Sequence, residues 1–428
     1  MQKDMIRHIT FLTLVLFTFL LVNLSSQPRE KAIPSSRSSI QLEKNIIFND
    51  SSSICYLSYR IPYSSLVFVK DDDKYSGGLT LDFEIKRDDK IVDRKSSSKS
   101  VVTDSYEGTL SEENFIEGVI SLDVSKNDYV IKPFLTVTNT DRNIPLDSML
   151  IQQKVILKEK FGHPIVVQSE EAPSCSSSDF QLVNFANSIP YSPNSYILLI
   201  PVLEENNEEI KVKIDQEGKN ILDKSLTDFI DKDFILKECE NKVILQKENN
   251  LKKVKYFLVK DFSYLMKEGN GRLMISVGNE KPVEFGFTVI WQNKPRTLMN
   301  PEFAIQLLGT IEKENIVDEL LNADKKDYSK VLNKYWDDKI PNKKVAFNEL
   351  MYEFYKRADY AMKNFGSVSN SNGAKSDRGK IFIRFGKPDE IKREYSTSNA
   401  VTEIWKYIQL KREFIFTDRT GLGNYTLD

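Results

Sequence analysis

At 428 residues the chain exceeds what one ordinary hydrophobic core serves, and roughly two to four domains are expected. Its 40% hydrophobic and 29% charged composition excludes a disordered or membrane-embedded protein. Sixty Lys and Arg against 62 Asp and Glu leave a net charge of −2, which supplies no field to attract DNA or RNA, so no nucleic-acid partner is expected.

Lys3 and Arg7 precede an apolar run over residues 9–22, and Ser25 and Ser26 follow it. Charge, apolar core and small residues in that order read as a signal peptide over residues 1–26. The run is short of the roughly 20 apolar residues a spanning helix needs, so no membrane span is expected after cleavage. An uncleaved anchor is the alternative, because Leu24 suits poorly the position three before a cut after Ser26. No Cys follows the run, so lipid attachment is not expected. The protein is therefore expected in the periplasm, at the outer membrane or outside the cell. Export permits a Cys175–Cys239 disulfide, but sequence spacing supplies no Cα separation, and unpaired small side chains are the plainer expectation for Cys55, Cys175 and Cys239. Without a CxxC pair a cysteine zinc site is excluded.

Residues 27–53 are Ser-rich, carry Pro28 and Pro34, and read as a flexible lead-in or a strand-forming tail. Short β-type runs follow over residues 55–59, 66–70, 79–85, 101–106, 115–124, 129–137 and 151–158. Leu79, Leu81, Phe83 and Ile85 alternate with Thr80, Asp82 and Glu84, as in a strand with one buried face. A first all-β domain, an Ig-like β-sandwich over residues 54–165, is expected. Residues 168–178, rich in Ser, Glu and Pro, break the pattern. A second series over residues 180–185, 195–203, 209–214, 242–246, 253–259, 271–277 and 283–291 predicts a second Ig-like β-sandwich over residues 178–294.

After Pro295 the pattern becomes helical through residues 300–366. Phe303, Ile305, Leu308, Ile311, Ile316, Leu320 and Leu321 form one apolar stripe, and residues 327–336 a second short helix. Phe347, Leu350, Phe354, Ala358, Ala361 and Phe365 mark the clearest helix, with Asn342 as expected N-cap and Gly366 as expected left-handed C-terminal residue. Residues 367–428 predict a small antiparallel sheet covered by these helices, an α+β module. Its strands are expected over residues 380–385, 402–410 and 412–418, with a turn at Gly386-Lys387-Pro388-Asp389.

The order of short motifs in this last part resembles the GWxTD domain, a bacterial module usually found in exported proteins. The motifs are Arg357-Ala358-Asp359-Tyr360-Ala361, Gly373-Ala374-Lys375-Ser376-Asp377-Arg378-Gly379, Gly386-Lys387-Pro388, Trp405-Lys406-Tyr407 and Phe416-Thr417-Asp418, with Tyr335-Trp336-Asp337 upstream. Together they cover about residues 304–427. Ala374 stands where the signature has Trp, so an indole there cannot hold a ligand, and Ser376 replaces Thr but keeps a hydroxyl able to cap. The resemblance implies an exported module of unsettled activity, often behind β-sandwich domains.

Candidate chemistry is sparse. His163 is the one histidine beyond the apolar leader, and with no nucleophile motif beside it a structural role is expected. Asp71-Asp72-Asp73 lacks the spacing of a calcium loop and reads as solvated. Asp377, Arg378, Asp389, Trp405, Tyr407 and Asp418 are the candidate ligand- or partner-binding residues. The plain reading gives Asp377 and Asp389 to caps and turns, Arg378 to a carboxylate, and the aromatics to the core. No metal or cofactor is expected. A protein or envelope-polymer partner and an interaction or structural role follow. The rivals are a carboxylate-dependent hydrolase of an envelope glycan or peptide using Asp377 and Asp418, and a self-assembling surface component.

Overall fold

Strand Ser53–Pro62 is apolar or aromatic at seven of its ten positions and is buried along almost its whole length. In a strand, successive side chains face opposite ways, so such a segment must be covered on both sides. The computed structural model, which describes residues 40–48, 53–152, 160–169, 180–203, 208–248, 254–340, 344–367, 371–395 and 400–428, places it at the centre of a three-stranded antiparallel sheet, sheet 1. Its neighbours are Gln41–Phe48 and Phe115–Asp123. Gln41–Phe48 falls in the segment read as a flexible lead-in or a strand-forming tail and takes the second form, for a plain cause. Ile47, paired with Ile54, has a hydrophobic face to join.

One face of sheet 1 carries Cys55, Leu57, Tyr59 and Ile61, all buried. The Tyr59 hydroxyl shares a 2.7 Å hydrogen bond with Ser97 of the six-stranded sheet 2. Sheet 2 is built on the long hairpin Lys74–Arg87 and Lys90–Thr103 with Tyr129–Val137 on the other side. The second face of sheet 1 puts Ile47 and Tyr56 into one cluster with Val167, Leu182, Leu199, Leu236 and Leu245 of the seven-stranded sheet 3. Sheet 3 is itself buried on both faces, so Ile197–Val202 reads Ile-Leu-Leu-Ile-Pro-Val without alternation. Its far side, including Val166, Leu198 and Ile200, packs on Val212, Ile214, Leu273 and Ile275 of the five-stranded sheet 4. The β layers therefore stack in the order 2, 1, 3, 4. Ile165–Ser169 pairs with Phe180–Leu182 and Ile197–Val202, inside sheet 3.

The helical part is α1 (Pro301–Leu307), α2 (Glu314–Leu321), α3 (Tyr328–Lys339), α4 (Glu349–Asn364) and α5 (Asp377–Phe385). The expected single stripe after Pro301 is split by a 3₁₀ turn at Leu308–Thr310. Asn342 lies outside the described residues, and the observed cap of α4 is Asn348, whose Oδ1 accepts from Met351 N–H at 2.9 Å. Gly366 does not take positive φ. Gly386 does, at 79°, where α5 ends. Aromatic contacts of Trp291 with Tyr191 and Phe347, at 5.3 and 5.6 Å between centroids, fasten the helices to sheet 4. The Tyr191 hydroxyl donates to Ala346 O at 2.6 Å. Residues Gln41–Asp428 consequently form one compact unit.

Residues 380–385, expected as a strand, are helical. Six residues alternate too briefly to separate the two periods. The buried positions Arg378, Gly379, Phe382 and Ile383 follow helical spacing, and Ser376 caps the first turn. The covered sheet, sheet 5, instead comprises Glu390–Tyr395, Val401–Tyr407, Arg412–Asp418 and Thr426–Leu427. Cys239 is bonded in a disulfide, which corrects the expectation that it is unpaired. Cys55 is a free buried thiol whose pKa burial pushes up to about 12, and Cys175 lies outside the described residues, as does the apolar leader. No helix among the described residues is long and apolar enough to cross a membrane.

The seam between sheets 1 and 3 contains a buried carboxyl group. Glu43 is 5% exposed, and its Oε2 accepts from Asn187 N–H at 2.6 Å. Desolvation raises its pKa from 4.5 to about 7, against lowering by the backbone N–H donors and Lys44. Between those values the folded chain holds a proton that the unfolded chain has lost, so stability falls as pH rises. Urea denaturation is expected to show a decline of about 2–4 kcal/mol from pH 4.5 to 7 attributable to this group. Glu43→Gln should flatten that part of the profile, whereas an unchanged slope in the variant contradicts the assignment.

Candidate functional site

The signature segment folds as two turns pressed against the end of α4. Gly373 has no room for a side chain, since a Cβ would stand 2.1 Å from Ala361 O. At Gly379 it would stand 1.9 Å from Gly373 O. Asn372 Oδ1 accepts from Ala374 N–H at 3.1 Å. Ser376 Oγ accepts from Gly379 N–H at 3.0 Å and donates to Gly373 O at 2.7 Å. Ala374 is fully buried in the helical core with Tyr355, Ala358 and Ala361. In this chain the family motif closes backbone on backbone.

Arg378, 8% exposed, leaves this turn and lies over the Tyr425 ring at 3.8 Å. Its Nη1 stands 3.5 Å from Glu403 Oε1. Glu403 is buried in sheet 5 and also accepts from Arg393 Nε and Trp405 Nε1, each at 2.7 Å. Trp405 is 1% exposed and packs against Phe365 and Phe416. Tyr407 is buried and donates to Gly386 O at 2.8 Å, and burial drives its pKa upward.

The candidate carboxylates serve backbone groups. Asp377 Oδ2 accepts from Leu427 N–H at 3.1 Å. Asp389 Oδ2 accepts from Ile408 N–H at 2.7 Å. Asp418 accepts from the N–H groups of Thr420, Gly421 and Gly423 at 3.1, 3.0 and 2.6 Å. Burial raises the Asp418 pKa, and those donors outweigh it and hold the group below the ordinary Asp value. Arg378, Trp405 and Glu403 come together as one internal cluster, while Asp377, Asp389 and Asp418 each close a different loop. His163 is half-buried, bonds Pro164 O through Nδ1 and meets the Phe285 ring edge-on at 5.7 Å. Burial lowers its pKa.

An opening that no motif announced lies at the junction of sheet 1, sheet 3 and the chain entering the helices. It is a cleft of about 490 Å³ lined by polar side chains. Arg60, 7% exposed, forms part of its lining, with its guanidinium 5.0 and 4.4 Å from the ring centroids of Phe115 and Phe185. Its Nε and Nη2 each reach Glu117 Oε1 at 2.7 Å. Glu117 Oε2 accepts from Val243 N–H at 3.2 Å, tying the pair to sheet 3. Nη1 makes no hydrogen bond to any described residue and is not sealed from solvent. At the rim Glu113 accepts from Lys356 at 3.0 Å and Tyr352 at 3.2 Å, both on α4. Partial burial raises the Glu113 pKa, and the bonds and charge of Lys356, with Asn293 and Tyr352, hold it below the ordinary value. The one local hint was an Arg inside the apolar run Ile54–Ile61; its partners are remote in sequence, so no spacing could reveal them.

Glu403→Gln is expected to destabilise the chain by about 3–5 kcal/mol, because it leaves Arg378 buried beside an uncharged amide. Asp377→Asn, at the partly exposed first residue of α5, should cost about 1 kcal/mol or less, the worth of its bond to Leu427 N–H. Chemical denaturation of both variants checks the ranking, and equal small losses would contradict a buried role for Glu403.

No curated protein matches the chain. The family model of the GWxTD domain matches residues 271–427, which takes in the last two long strands of sheet 4, the helices and sheet 5. With the signature turn, the buried Trp405 and the Asp418 loop all lying inside that match, residues 271–427 of this chain are a GWxTD domain.

Proposed function

We propose that this is an exported, non-catalytic interaction protein. Two Ig-like β-sandwiches and the GWxTD module act as one frame around the polar cleft, which takes a protein or an envelope polymer. The observation that carries this reading is a contrast. Arg378, Trp405, Tyr407 and Asp418 are buried and held by the chain's own groups, with only Arg378 Nε left without a hydrogen bond among the described residues, while the cleft keeps solvent-facing polar groups around a buried cation.

Export draws support from the charged, apolar and small-residue order of the first 26 residues and from the disulfide at Cys239, since such bonds persist in oxidising compartments. The hydrolase reading loses its first candidates, because Asp377 and Asp418 are engaged by separate backbone donors. In this reading Asp377, Arg378, Asp389, Trp405, Tyr407 and Asp418 act on the partner only through the frame they hold.

Crosslinking in intact cells followed by fractionation is the test. The chain is expected outside the cytoplasm with an envelope component attached, and Asp377→Asn should leave that adduct in place. A chain confined to the cytoplasm, or one in the envelope that yields no adduct, contradicts the proposal.

A further inference from the structure

We infer that the cleft beside Arg60 is a carbohydrate site that takes a neutral oligosaccharide. The inference rests on the interaction reading above and adds the chemical class of the ligand. Its volume of about 490 Å³ falls within the range of small-ligand sites.

The lining chemistry is specific. Asn114, Gln181, Asn194, Asn241 and Gln292 bring carboxamides to the cleft, and each carboxamide offers both donors and an acceptor. A sugar hydroxyl also donates and accepts, so it can pair with either end of such a group. Charged ligands suit the walls less well. Of the four acidic side chains that line the cleft, Glu112, Glu113 and Glu117 are each paired with a cation, Arg296, Lys356 and Arg60. With Glu240 and Lys242 balancing each other, the walls carry no net field to draw in uronates, phosphates or nucleic acid. Tyr63 is half-buried at the wall and brings an aromatic ring to meet the C–H side of a pyranose. The Nη1 donors of Arg60 remain for a ring, glycosidic or acetyl oxygen.

The site is also held in shape before any ligand arrives, which lowers the entropic cost of binding. Gln168 and Gln181 stand on neighbouring strands inside sheet 3 and bond to each other at 3.0 Å. Glu240 and Asn241 form a hairpin turn with φ of 47° and 61°. Ser192 and Tyr196 share a 2.6 Å hydrogen bond.

Isothermal titration of the purified full chain with chitotriose and cellotriose tests this, with trigalacturonate and tetra-alanine as comparators. At least one neutral trisaccharide is expected to bind saturably at one per chain, more tightly than either comparator. Asn114→Ala and Gln292→Ala should each weaken it by about three- to tenfold, the worth of one hydrogen bond, with unchanged thermal unfolding. Tighter binding of trigalacturonate or tetra-alanine, no saturable sugar binding, or sugar binding indifferent to both substitutions overturns the inference. If the cellular adduct persists through such a failure, the ligand class falls and the interaction role stands.

Discussion

A strand with no solvent face sets the architecture. Ser53–Pro62 offers Cys55, Leu57, Tyr59 and Ile61 to one side and Tyr56, Ser58 and Arg60 to the other, all buried. Burying large apolar side chains is worth about 1.5–3 kcal/mol each, so neither side can be left to water. Sheet 2 covers the first and sheet 3 the second. Because sheet 3 then has a second face of its own, sheet 4 must cover that. The helices fasten to sheet 4 through Trp291, Tyr191 and Phe347, and α5 carries sheet 5 through Phe382, Trp405 and Phe416.

The polar groups caught in this stack explain where the cleft lies. Arg60 cannot be buried unpaired without a large desolvation cost. Glu117 on the adjacent strand answers it at the register Arg60↔Glu117, and the second oxygen of Glu117 reaches Val243 across the layer boundary. The layers separate beside this pair, and the opening is lined mostly by amides, charged groups and tyrosines. Farther along the same seam Glu43 is satisfied by Asn187, while the Asn45 amide and the Ser58 hydroxyl are buried without hydrogen-bond partners. This seam is held less by apolar packing than the contact between sheets 3 and 4.

Local features were legible in the sequence and long-range ones were not. The alternation of Leu79, Leu81, Phe83 and Ile85 marked its strand, and the spacing of Phe354, Ala358 and Ala361 marked α4. The cap at Ser376 and a carboxylate partner for Arg378 followed from residue type. Lys90–Thr103 escaped for most of its length because Lys95-Ser96-Ser97-Ser98-Lys99 is polar; it pairs with Lys74–Arg87, and charged, polar edges guard against unwanted pairing. Residues 380–385 misled because Ile381, Ile383 and Phe385 alternate over less than two helical turns. Arg60 and Glu117, 57 residues apart, meet only through sheet register, and no motif spans that distance.

The GWxTD signature here reads as a structural clasp continuous with the β layers, and that continuity is the central claim. Native-state hydrogen exchange of the full chain across increasing denaturant tests it most directly. The account predicts that peptides covering Ser53–Pro62, Ile197–Val202 and Asp377–Phe385 lose protection together in one cooperative transition. Exchange of Asp377–Phe385 at low denaturant, with both strands still protected, would contradict it.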